Sequence, residues 1–117
     1  MLTATDQRWM AAALVPYLAL AAWDGWLHEK ARRVPRTEQV LHACTLVSGV
    51  VLVGALFLAR AAVADSALAV FLVATVWDAA GFHAPLDPRE RRVHAAAYAC
   101  FAAFLAVAAW RGAFAWN

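Results

Sequence analysis

The chain has 117 residues, 65% of them hydrophobic, with a formal net charge of +2 and a mean hydropathy of +0.62. A soluble domain carries roughly 45–50% apolar residues, and one this small leaves much of its surface outside, so the composition argues against a water-soluble fold and for lipid as the second solvent. With no phosphate-cradling glycine loop and no basic-aromatic patch, there is no case for a nucleic-acid or nucleotide partner.

Four apolar stretches follow in chain order: residues 9–27, 40–59, 61–82 and 93–110. Each approaches the ~20 residues that cross the hydrocarbon as a helix. Helices are the spans expected, because no strand alternation is present and backbone groups in lipid must pair internally. Arg8 followed by an apolar run imitates a signal peptide. That run continues into a polar motif with a later counterpart, so it reads as a retained first span, with Pro16 as an expected kink. Cys44 and Cys100 lie inside apolar runs and read as small packing residues rather than a disulfide framework.

The connections are short. Seven of the ten basic residues (Lys30, Arg32, Arg33, Arg36, Arg89, Arg91 and Arg92) fall in the first and third. The positive-inside rule then puts both basic loops in the cytoplasm and both termini outside. The expected location is the inner (plasma) membrane of a bacterium. Trp9, Trp110 and Trp116 at one side and Trp23, Trp26 and Trp77 at the other fit aromatic belts.

The sequence repeats itself, with repeat one at about 8–60 and repeat two at about 61–112. Trp23-Asp24 returns as Trp77-Asp78, offset by 54, and Glu38 with His42 returns as Glu90 with His94, offset by 52. Two spans per copy keep the copies in one orientation, related by an axis along the membrane normal. The expected fold is an all-α integral membrane protein, a pseudo-twofold four-helix bundle of two helical hairpins.

All four histidines and four of the eight acidic residues lie in these motifs. Spans one and three end with Asp24, His28 and Asp78, His83; spans two and four begin with Glu38, His42 and Glu90, His94. Ends and starts alternate, so all eight groups meet at one side of the bundle. A carboxylate and a histidine four apart lie about 40° apart around a helix and share a face. Asp78 to His83 is a spacing of five, about 140°, which needs a π-bulge at Gly81 or a helix that has already ended.

Intramembrane ionisable groups are costly unless they pair or line a functional cavity. Divalent cations would neutralise four clustered carboxylates, and carboxylate with imidazole suits iron, manganese or zinc. Di-metal four-helix bundles use Glu and Glu-x-x-His in a related way. The expected metal ligands are therefore Asp24, His28, Glu38, His42, Asp78, His83, Glu90 and His94. They would hold two divalent ions, iron first, with zinc or manganese after it and haem last. Set against this are a salt-bridged network with Arg33, Arg36, Arg89 or Arg92, and first-turn glutamates favoured by the helix dipole.

Four functions compete. The first is a di-iron oxidase or oxygenase acting on a lipid-soluble substrate or quinone. The second is binding, sensing or transport of a divalent metal. The third is haem-based electron transfer, and the fourth an accessory subunit of a membrane complex or a homo-oligomer. Tyr98, one turn after His94, reads first as packing, and Trp23 and Trp77 as belt residues. Asp6 and Asp65 belong to no cluster, Asp87 reads as solvated, and Gly49 with Gly54 is a near-match to small-residue helix packing.

Overall fold

The protein is described by a computed structural model covering residues 2–31, 34–82 and 86–116, with the side chains of 28–31 outside the description. Four helices account for nearly all of it: α1 (Ala4–Ala31), α2 (Arg36–Phe57), α3 (Ala61–Phe82) and α4 (Pro88–Trp110). Each is long and apolar enough to span a membrane. The long axis of the molecule measures 44 Å, against ~30 Å of bilayer hydrocarbon. This is an integral membrane protein built as a four-helix bundle.

Side-chain placement is the reverse of a soluble bundle. Leu46, Val50, Val73 and Trp77 are all more than 60% exposed and face the lipid. Serines inside spans satisfy themselves by back-bonding: Ser48 Oγ donates to Cys44 O at 2.6 Å and Ser66 Oγ to Ala62 O at 2.9 Å. Helix α1 runs through Pro16 without ending, which neighbouring helices make tolerable in a membrane.

The close-packed pairs are α2 with α3 and α1 with α4. Each pair joins one helix from each sequence repeat, and the pseudo-twofold that exchanges the repeats exchanges the two pairs. The end of the bundle holding the termini is a solid apolar plug, where Met10, Leu52, Leu56 and Phe104 are fully buried beside Ala64 and Ala108. Gly49 is in close contact, since a Cβ there would meet the Phe71 ring at 3.3 Å, but Gly54 faces open space. Only the first half of the expected small-residue pair therefore works as a packing position.

Helix ends follow from local chemistry. Asp6 belongs to no ligand cluster, as expected, but it has a structural part. Thr3 and Asp6 form a reciprocal cap on α1, and Asp6 also accepts from Arg111 at 3.2 Å, tying α1 to the far end of α4. Asp87 caps α4 by accepting from Arg89 N–H at 2.7 Å, ahead of Pro88.

Helices α2 and α4 close with the same motif. Arg60 N–H donates to Ala55 O, and Ala113 N–H to Ala108 O, around left-handed residues Ala59 (φ 52) and Gly112 (φ 73). Such a φ costs a residue bearing a Cβ ~1 kcal/mol. Gly112→Ala is therefore expected to lower stability by ~1 kcal/mol, and Ala59→Gly to raise it by about half as much after the entropy cost of glycine. Melting the two variants in one detergent checks this.

Candidate metal centre

The polar residues collect at the end opposite the plug. Glu38 and Glu90 both stand at the third position of their helices, where a glutamate normally turns back toward the N-cap N–H. Pro35 has no N–H to offer Glu38. Both carboxylates point inward instead and are buried, at 0% and 4% exposure. Helix-dipole attraction alone does not require burial, and burial is expensive without strong partners.

On the α2/α3 pair, His42 Nε2 lies 3.8 Å from Glu38 Oε1 and 3.5 Å from Asp78 Oδ1. One ligand atom from each of the three residues lies within 4.8 Å of the others. Metal bonds of ~2.0–2.2 Å separate adjacent ligand atoms by about 3.0–3.6 Å in tetrahedral or octahedral geometry. The separations at His42 are close to that spacing and too long for strong hydrogen bonds.

On the α1/α4 pair, the counterparts are drawn together. His94 Nδ1 sits 2.6 Å from Asp24 Oδ2, and His94 Nε2 sits 2.7 Å from the Tyr98 hydroxyl. With the proton on Nδ1, the imidazole donates to Asp24 and accepts from Tyr98. A carboxylate behind a histidine in this way fixes the ring and its tautomer. Asp24 Oδ1 is buried without a hydrogen-bond partner among the described residues. The two pairs share residue types but differ in spacing: His94 lies 2.6 Å from Asp24, whereas His42 stands 3.5 Å from Asp78 and 3.8 Å from Glu38.

Of the eight expected site residues, Glu38, His42 and Asp78 come together in one group and Asp24 with His94 in another, while Glu90 is buried at the head of α4. The His28 side chain and the whole of His83 lie outside the described residues. Among the described residues, Arg36, Arg89 and Arg92 pair with none of the cluster carboxylates. Arg92 Nε donates to Pro88 O, and Arg89 lies 6.0 Å from the Trp23 ring centroid. Trp23 and Trp77 are exposed, as belt residues should be.

Asp24, His42, Asp78 and His94 all face one cavity of about 1040 Å³. Sequence reading set Tyr98 down to packing, whereas the hydroxyl contacts His94. Thr75 and Tyr17 on the same wall were not singled out at all. Helical phase could have found them, since Thr75 stands one turn before Asp78 and Tyr17 two turns before Asp24.

No known protein family matches the chain, and no characterised protein or solved structure is similar to it.

Proposed function

We propose that this membrane protein holds two divalent metal ions, iron foremost, in two pseudo-symmetric carboxylate–histidine sites, and oxidises a lipid-soluble substrate or quinol with dioxygen. The observation that supports this most is the Glu38/His42/Asp78 group, its carboxylates buried and its histidine half-buried, with ligand atoms within 4.8 Å of one another and the same residue types repeated at Glu90/His94/Asp24. Two dications would balance the four carboxylates, and ligands of mixed oxygen and nitrogen character suit iron that changes oxidation state. The basic loops lie at the same end as the site, which argues for a cytoplasmic position with both termini outside.

The protein's own residues have definite parts in this reading. Glu38, His42 and Asp78 take the first ion by drawing ligand atoms now within 4.8 Å of one another a little closer. At the second site Glu90, one turn before His94, offers a carboxylate, Asp24 stays behind Nδ1 to hold the ring, and His94 must release Tyr98 before Nε2 can bind. Metal is therefore expected to load in two steps of unequal affinity. Tyr98→Phe removes one competing neutral hydrogen bond, worth ~1 kcal/mol, and should tighten the second step about fivefold while leaving the first unchanged. Calorimetric titration of metal-free protein reads both steps.

The proposal is tested by oxygen uptake. Iron-loaded protein given decyl-hydroquinone in detergent should consume dioxygen, and zinc-loaded protein should not. Equal uptake by both forms, or none with iron across hydroquinones and long-chain alcohols, would remove the oxidase and leave metal handling.

One observation favours a second reading. His42 and His94 face the same cavity from opposite helix pairs, the disposition needed for two axial ligands on one haem. A Soret band in the purified protein would decide for it.

A further inference from the structure

The two repeats have diverged where it affects access to the site. Gly49 on α2 corresponds to Phe101 on α4 by the offset that relates His42 to His94. Phe101 is buried and fills its own side of the bundle, with its ring 4.5 Å from Tyr17 and 4.7 Å from Phe71 between centroids. Gly49 places no side chain there, the Phe71 ring packs against its backbone instead, and the 1040 Å³ cavity runs past Gly49, Phe71 and Phe101. Most of the lining comes from α1 and α2, which are not one of the close-packed pairs, and the cavity is read as opening between them. Leu18, Leu46 and Val50 on its rim are 53%, 68% and 65% exposed, so the opening gives onto lipid.

A second divergence is polar. Thr75 corresponds to Ala21 in the first repeat by the offset of 54. The Thr75 hydroxyl oxygen is buried at the cavity wall with no hydrogen-bond partner among the described residues. Ser48 and Ser66 both bond back to their own helices, the usual resolution for a hydroxyl in a span. A buried hydroxyl that does not do so needs a partner from elsewhere.

We propose that the α1/α2 gap is a lateral portal and binding site for a single-chain lipid with a neutral oxygen head. Its chain lies along Leu18, Val50 and Val53, and its hydroxyl or carbonyl bonds to Thr75 beside the metal ligands. The proposal rests on the metal reading only for the neutrality of the head. An anionic head would meet Asp24 and Asp78, and a cationic one would compete with the ions. The volume is at the upper end of ligand pockets, about 300–1000 Å³, and suits one chain with a small head.

The test is photolabelling in nanodiscs with a long-chain alcohol bearing a mid-chain diazirine, beside the matching alkane without the hydroxyl. Adducts on Leu18, Val50 and Val53 are expected. Val50→Trp, at an exposed position on the rim, should cut labelling roughly tenfold by filling the mouth, with an unchanged melting temperature as the sign of an intact fold. Thr75→Val, which keeps the shape, should weaken labelling by the alcohol about fivefold and leave the alkane unaffected.

Adducts confined to the outer face of α3 at Leu72, Val73 and Val76 would overturn the portal. So would labelling indifferent to both variants, or a dimer cross-linked through α1 and α2 that takes up no probe. Labelling is repeated on metal-free protein. Adducts in the gap of a chain that never binds metal would sink the metal reading and leave the portal standing. Two bound ions with adducts elsewhere would do the reverse.

Discussion

Replacing Glu38 and Glu90 together by glutamine is expected to change stability in opposite directions with and without metal. Both carboxylates are buried among other acidic groups, so the metal-free protein carries the cost of desolvating and crowding them. Neutralising two of the four clustered carboxylates relieves their mutual repulsion, and the metal-free double variant should therefore melt higher than the parent. With iron or manganese added at a thousandfold excess over Kd, the parent gains about 4 kcal/mol for each ion bound by mass action, and the variant, with weakened sites, loses most of that gain. Thermal melts followed by circular dichroism, with and without chelator, give the comparison. A variant that melts lower under both conditions would mean that protein groups, not ions, hold these carboxylates.

The second large effect lies at the other end of the bundle. Phe104 is fully buried in the apolar plug and stacks near Phe101 at 5.8 Å between centroids. Packing rather than water exclusion holds helices together in lipid, so Phe104→Ala should cost ~3 kcal/mol, the low end of the range for emptying a core aromatic position. The loss should appear as a lower melting temperature with metal stoichiometry unchanged below the transition. A fall in metal content at low temperature would show that plug and site are not independent, contrary to their separation along the bundle.

Much of the architecture was legible because lipid imposes few solutions. Span length and the doubled Trp-Asp and Glu-x-x-x-His motifs were enough for four helices in two copies. Residue type also placed the carboxylates and histidines at one end, because helix ends and starts alternate there. Periodicity could not show which helices pair. It is the α1/α4 and α2/α3 pairing that sets Asp24 against His94 and Asp78 against His42. Nor could it show that the two sites differ in spacing, although Tyr98, which bonds His94, has Leu46 as its counterpart. Asp6 showed no structural part because its partner, Arg111, is 105 residues away. The cavity was invisible for a related reason. A glycine in a span reads as a place where helices meet, and Gly49 does admit the Phe71 ring, but the cavity that runs past them is set by which helices pair.

The most direct test of a di-metal centre is elemental analysis of the detergent-purified protein together with its optical spectrum, repeated on Glu38→Gln with Glu90→Gln. About two equivalents of iron or manganese per chain, without a Soret band and falling to a small fraction in the double variant, is the expected result for a two-ion carboxylate–histidine site. No bound metal in the parent, even after anaerobic reconstitution with ferrous iron and with manganese, would contradict it.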